Sequence, residues 1–368
     1  NTQRADQFKI DVGMYNPLLG KSYGEIAALS RSQHKSQGFG VPAQRGESLE
    51  FFKTIKGTAP VNDLFDGVNT NWSKVQSPAS LLPQNYFSGA VQNIISEYSA
   101  EQPEKTLPSL VKLYDELERL SDTYWKEQKQ QLLKNLIEQC SGLFMEATAT
   151  TQYAVQGDTL KVNLVVNNRS GANIHSADAQ IDTTYVIFDQ LQKNKNAVKT
   201  YSWFIEPNAK FSQPYWLEND MNHGSFNVTD QLLIGKAENE PLSVTFSMMI
   251  EGKEFTFTKP VRYKFTDPVK GEIYQPVSVV PPVTITPKLS SVVSTSIKNT
   301  VVEVEALRNI VLHDPEIISN IPTVTNNVLI DENVGMNGNI SLVKGQKKTV
   351  TVFPVSGKQS VIIGAQEN

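Results

Sequence analysis

Cysteine is the scarcest residue in this 368-residue chain. Cys140 stands alone, so no internal disulfide can form, and without a CxxC or a Cys/His cluster there is no finger-type zinc site. Histidine is nearly as sparse. His34, His175, His223 and His313 lie far apart, which excludes the HExxH and HxxH metal pairs. No apolar run approaches the roughly 20 residues that span a bilayer. The stretch Val277–Val283 is short and broken by Pro281 and Pro282, so no transmembrane segment is expected. Basic excess is also missing, with 34 Lys and Arg against 38 Asp and Glu and a net charge of −4, so nucleic acid is not an expected partner. Walker A and GxGxxG do not occur, which leaves phosphate cradles without support. The chain opens on Asn1 with neither a charged n-region nor an apolar h-region, and an upstream part is expected.

What remains is a folded, multidomain α+β composition, 39% apolar and 20% charged. Residues 1–78 mix loops with one helix. Ser22 caps it, Glu25 completes a capping box, and Ile26 and Leu29 carry it on towards Gln37, where Gly38 stops it. The glycines and prolines beyond allow a brief second helix over Ser48–Lys53. From about Pro83 the period becomes helical. Val91, Ile94 and Ile95 mark one helix over Phe87–Tyr98. Leu110, Leu113, Tyr114, Leu117, Leu120 and Tyr124, then Leu132, Leu133, Leu136, Ile137, Cys140, Leu143 and Phe144, mark two antiparallel helices or one long kinked helix, a connector over 79–148.

After Ala149 the period is two. Leu160, Val162, Leu164 and Val166 form one strand, and Val244, Phe246, Met248 and Ile250 turn at Glu251-Gly252-Lys253 into Phe255 and Phe257 as a hairpin. With Tyr185–Phe188, Tyr201–Ile205 and Val261–Phe265 these predict an antiparallel, Ig-like β-sandwich over 149–285. Pro281-Pro282 and Thr286-Pro287 then mark a linker. Val301–Leu307, Ile340–Val343 and Thr349–Phe353, with Lys344-Gly345-Gln346 as a turn, begin a second sandwich over 286–368 that the chain does not complete.

His313-Asp314-Pro315-Glu316 reads as a surface turn rather than a metal loop, and Asp115 with Glu118 as a solvated helix face. The densest polar cluster is Ser30–Gly40. There Arg31, His34 and Gln37 share a helix end with glycines that let a ligand approach the backbone, and a functional site and a capped terminus both fit. Trp203, Tyr215 and Trp216 are candidates for stacking on sugars, against a core role.

Gly20-Lys21-Ser22-Tyr23-Gly24-Glu25-Ile26-Ala27 followed by Ser30-Arg31-Ser32-Gln33-His34-Lys35-Ser36-Gln37-Gly38-Phe39-Gly40 resembles the end of the catalytic domain in large Bacteroidetes-type PIG-L/LmbE-like deacetylases, the N-acetylglucosaminyl deacetylase superfamily. Gln213–Leu217, Asp230–Gly235, Pro260–Tyr263 and Asp267–Glu272 are similar to the β-domain that succeeds it in those proteins.

The resemblance implies a zinc-dependent N-deacetylase acting on N-acetylated amino sugars or glycoconjugates, periplasmic or secreted. Residues 1–78 would be the remnant of its α/β catalytic domain, and the β-sandwiches accessory modules. Its metal ligands belong to an N-terminal Ala-His-Pro-Asp-Asp-Glu loop and a later histidine, and its base is an Asp of that loop; the loop is absent here, and neither ligands nor base have a counterpart in this chain. The implied zinc therefore lies in the N-terminal catalytic half, the chain's expected partner alongside a glycan or amino-sugar substrate, and this segment holds no metal or cofactor and is inactive alone. His34 carries over as a residue lining the pocket or supporting a metal ligand, with Arg31 and Gln37 beside it. The alternative is a non-enzymatic carbohydrate- or protein-binding β-sandwich protein.

Overall fold

The computed structural model describes residues 7–68, 86–120, 123–236, 241–287, 300–319, 328–330, 340–352 and 361–366. Pro83, Phe353 and most of the segment between Ile318 and Ile340 fall outside them. The chain divides into two units, Asn1–Gln76 and Ser77–Asn368. Among the described residues no helix is long and apolar enough to cross a membrane.

The first unit runs β1 (Gln7–Asp11), β2 (Tyr15–Asn16), β3 (Lys21–Ser22), α1 (Tyr23–Arg31) and β4 (Leu49–Lys53). The expected capping box is present. Ser22 Oγ accepts from the Glu25 N–H at 3.2 Å, and Glu25 Oε2 accepts from the Ser22 N–H at 2.9 Å. The helix, however, ends at Arg31 rather than Gln37. Ser30 to Gln37 offers no apolar residue to bury, and Lys35–Gln37 forms a separate 3-10 turn closed by Gly38 at φ 69°. The brief helix expected over Ser48–Lys53 is instead β4, antiparallel to β1. Its Phe51 and Phe52 suit a strand, and Asp11 Oδ1 fixes its start by accepting from the Ser48 and Gly13 N–H groups, both at 2.8 Å.

The second unit opens with α2 (Tyr86–Glu97), α3 (Leu107–Leu117) and α4 (Thr123–Cys140). On α3 the predicted stripe is buried at Leu110, Leu113 and Leu117; on α4 only Leu133 and Ile137 are, while Leu132 and Leu136 face out. The helical reading of Leu143 and Phe144 fails. Gly142 turns the chain at φ 63°, and β5 (Leu143–Ala149) begins there. The chain continues through β6 (Tyr153–Val155), β7 (Thr159–Asn168), β8 (Ile174–Ile181), β9 (Thr184–Phe188), β10 (Asn196–Phe204), β11 (Ser243–Ile250), β12 (Lys253–Asp267), β13 (Gly271–Pro276) and β14 (Ser278–Val280).

Eight of these strands form one sheet in the order β10-β7-β5-β12-β11-β8-β9, with β13 paired to β12. The 15-residue β12 organises it. Its first half pairs antiparallel with β11 across the turn Glu251-Gly252, both residues at positive φ as a two-residue hairpin requires. Its second half pairs antiparallel with β13 and parallel with β5. The pairing is therefore mostly, but not wholly, antiparallel. At the two ends of the order, the Tyr201 hydroxyl on β10 donates to Thr184 Oγ1 on β9 at 3.1 Å, so the sheet nearly closes.

The predicted alternation holds on β7 and β11. Leu160, Val162, Leu164 and Val166 on β7 and Val244, Phe246, Met248 and Ile250 on β11 are all at most 3% exposed. The helices cover the hairpin. Tyr114 lies edge-on to Phe255 at 5.1 Å, and Lys134 Nζ sits 5.6 Å over the Phe257 ring. Lys253 binds both Asp115 and Glu118, and Lys259 binds Glu138. Asp115 and Glu118 are about half exposed, as expected of a solvated face, and pair with Lys253 beside the hairpin turn. Burial works against the Lys253 ammonium, yet the hydrogen bonds to Asp115 and Glu118 hold it above the ordinary lysine range.

The expected linker at Pro281-Pro282 is a two-residue joint. β15 (Val283–Pro287) begins immediately, so Thr286-Pro287 lies in a strand, and the Leu307 N–H donates to the Pro282 carbonyl at 2.8 Å. Beyond come β16 (Thr300–Ala306), β17 (Ile310–Ser319), β18 (Val328–Ile330), β19 (Ile340–Leu342), β20 (Lys347–Val352) and β21 (Val361–Gln366), in two sheets ordered β15-β16-β20-β18 and β19-β17-β21. His313–Glu316, read as a surface turn, is part of β17, with the register slipping between His313 and Glu316. A proline lacks the N–H that a regular ladder needs, so Pro315 and the irregularity go together.

Candidate functional site

The outer face of the β8–β9 hairpin carries a cleft of about 380 Å³, walled by His175, Asp178, Tyr185, Ile187, Asp189 and Leu191 among others. Register explains it. Asp178 on β8 stands opposite Ile187 on β9, and Gln180 opposite Tyr185, while Ala177, Ala179, Ile181 and Phe188 turn to the core. Tyr185 and Ile187 are left 61% and 72% exposed, an open apolar shelf beside polar groups.

Asp178 is the most perturbed group of the cleft. Burial, and then the negative charge of Glu254, push its carboxyl above the usual carboxylate range, with a hydrogen bond from Ser247 offsetting part of the effect. Its Oδ1 is buried and accepts no hydrogen bond from the protein. Asp189 pairs with Lys199 at 3.3 Å, but its side chain is almost wholly exposed and the pair is screened by solvent. An exposed phenol ring beside two carboxylates and an imidazole suits a ligand with an apolar face and several hydroxyl or amine donors.

A second polar cluster ties strands together instead. The Tyr274 hydroxyl lies 2.5 Å from both Glu146 Oε1 and Glu272 Oε1, and Lys264 Nζ lies 2.8 Å from Glu146 Oε2. Burial, and then these carboxylates, push the Tyr274 phenol well above the ordinary tyrosine range. Its groups satisfy one another and join β5, β12 and β13.

The residues singled out in the sequence fall in three places. Arg31 and His34 meet at Phe39, with the guanidinium carbon 5.6 Å over the ring and the imidazole 6.3 Å away edge-on. Gln37 joins through its backbone, whose N–H donates to the His34 carbonyl at 3.1 Å. All four side chains are exposed. Tyr215 and Trp216 pack perpendicular at 4.9 Å in a 3-10 turn, half-buried, with the Gly235 N–H donating to the Tyr215 hydroxyl at 3.2 Å. Trp203 is half-buried on β10, opposite Leu160.

Sequence reasoning does not single out His175, Asp178, Tyr185 or Asp189. The signal is Tyr185–Phe188, apolar at every position. A strand with one core face must turn half of such a run outward. Among the described residues no group of three or more His, Cys, Asp or Glu is placed to hold a metal ion.

No family model matches the chain, and no curated protein matches it. Among solved structures, the secreted serine protease VesC from Vibrio cholerae is similar over 65% of this chain and 50% of its own, at 12% identity and a TM-score of 0.20. The chain spans about half the length of that structure, and so slight a likeness carries neither fold nor function across.

Proposed function

We propose that the chain is the C-terminal, accessory part of a periplasmic or secreted metal-dependent N-deacetylase acting on N-acetylated amino sugars or glycoconjugates, and that its second unit holds the glycan. The sequence elements Gly20–Gly40 and Pro260–Glu272 support the enzyme class. The observation that carries glycan binding is the β8–β9 cleft, where exposed Tyr185 lies beside His175, Asp178 and Asp189. In this reading residues 1–78 are the remnant of the α/β catalytic domain, and the β12-centred sheet is an Ig-like sandwich.

The zinc that the enzyme class implies does not fit the described residues. His34 shares the Phe39 ring with the Arg31 guanidinium, whose fixed positive charge opposes a cation at the same turn. The ion belongs with the N-terminal catalytic half, and no reaction step is assigned to this chain's residues. The cleft does not depend on that half, so it equally supports a non-enzymatic carbohydrate-binding β protein. A His-Pro-Asp-Asp loop upstream in the same polypeptide distinguishes the two.

Titration calorimetry of the full chain with oligosaccharides of N-acetylglucosamine, of glucosamine and of mixed composition tests the glycan reading. Saturable binding that Tyr185→Ala weakens at least about tenfold, as loss of a stacking aromatic anchor would, supports it. No binding of any of the three overturns it.

A further inference from the structure

The charges around the cleft are one-sided. Asp178 and Asp189 line it, and Glu254 adds its negative charge to that of Asp178. Against them stand Lys199, engaged with Asp189 at the exposed rim, and the imidazole of His175 on the wall. A neutral acetamide gains nothing from such a field. An ammonium does, since it brings three donors and a positive charge to carboxylates that accept only. Asp178 is the matching group: it lines the cleft, and its Oδ1, closed off from solvent without a ligand, accepts no hydrogen bond from the protein.

The rest of the wall fits the body of a sugar. Tyr185 and Ile187 offer an exposed apolar surface for the C–H face of a pyranose ring, and the Tyr185 hydroxyl, Gln190 and His175 offer polar edges for its hydroxyls. The cleft volume of about 380 Å³ suits one or two sugar units rather than a long chain.

From this geometry we infer that the β8–β9 cleft selects amino-sugar units whose nitrogen is free and protonated, with Asp178 as the residue that distinguishes ammonium from acetamide. The inference rests on the proposed glycan binding and adds to it a direction. The cleft recognises the de-N-acetylated unit, the product side of an N-deacetylation, so the glycan is held more tightly the more of its amines have been freed.

The test compares a glucosamine tetramer with an N-acetylglucosamine tetramer on the full chain at pH 6 and constant ionic strength. The glucosamine tetramer is expected to bind at least about tenfold more tightly, a margin that Asp178→Asn shrinks to less than about threefold. Asp189→Asn should reduce it less, because its carboxylate is exposed and already paired. Circular dichroism melts of both variants establish that they are folded. Equal or tighter binding of the acetylated tetramer overturns the inference and leaves glycan binding intact, whereas binding of neither removes both. A tetralysine peptide competing as well as the glucosamine tetramer would also overturn it, as general attraction to a cation. An unchanged margin in folded Asp178→Asn would remove Asp178 from the role.

Discussion

Gly142→Ala strikes the joint between the helices and the large sheet, and the geometry gives its size. Gly142 sits at φ 63°, where a residue with a Cβ costs about 1–2 kcal/mol. The added Cβ would stand 3.0 Å from Ser170 Cβ and 3.1 Å from its backbone nitrogen. Ser170 has little room to give. Its Oγ donates to the Ser141 carbonyl at 2.6 Å, and neighbouring Arg169 donates through Nε to the Gly142 carbonyl at 2.8 Å. Overpacking of this kind adds about 1–3 kcal/mol, so the combined loss should be about 2–5 kcal/mol. Gly252→Ala is the internal control. It sits at φ 81° with nothing within 4 Å of the new Cβ, so only the conformational part, about 1–2 kcal/mol, applies. Urea unfolding of both variants, read as a midpoint shift at unchanged slope, should rank Gly142→Ala below Gly252→Ala. Equal losses, or a larger loss for Gly252→Ala, would refute the crowding argument.

Three further outcomes rest on particular residues. Asp178→Asn should stabilise the protein at neutral pH. The folded carboxyl titrates above the unfolded value of 3.8, so between those two values the native state binds more protons and stability falls as pH rises. Melting temperatures from pH 4 to 8 should show the variant's advantage growing with pH, and a variant less stable at pH 7 would contradict it. Phe246→Ala removes a fully buried ring from the face that packs on Phe257 and should cost about 3–5 kcal/mol by denaturant titration; a cost below about 1 kcal/mol would deny that this face is core. In the proposed parent enzyme, His34→Ala should lower deacetylation by roughly 10- to 100-fold, the size expected when a residue lining the pocket is lost and the substrate is misplaced, with little change in melting temperature, because the imidazole is exposed and makes one edge contact with Phe39. Unchanged turnover would end its candidacy.

Local chemistry makes part of this fold legible in the sequence. The Ser22–Glu25 capping box, the Glu251-Gly252 turn and the alternation of β7 and β11 each depend on residues a few positions apart, and each has its expected form. The misleading signal is a period that continues past its element. Leu143 and Phe144 prolong the spacing of Ile137 and Cys140, but Gly142 at positive φ ends the helix, and pairing with β7 and β12 makes Leu143–Ala149 a strand. Leu49–Lys53 likewise becomes a strand through β1, some 40 residues away. The parallel pairing of β5 with β12 joins segments more than 100 residues apart, and no local pattern encodes it. The cleft is hidden for the same reason. Asp178 and Asp189 are polar residues without a motif until the β8–β9 register sets them beside the outward face of Tyr185 and Ile187. Tyr215 and Trp216, the conspicuous aromatics, turn their rings on each other.

That contrast defines the most direct measurement of whether the β8–β9 cleft is where glycan is held. Hydroxyl-radical footprinting of the full chain, with and without a saturating glucosamine tetramer, reads the solvent access of each aromatic separately. The cleft account predicts protection at Tyr185, accompanied by His175 and Leu191, with Trp203, Tyr215 and Trp216 unchanged. Protection of Tyr215 and Trp216 with Tyr185 left open would contradict it.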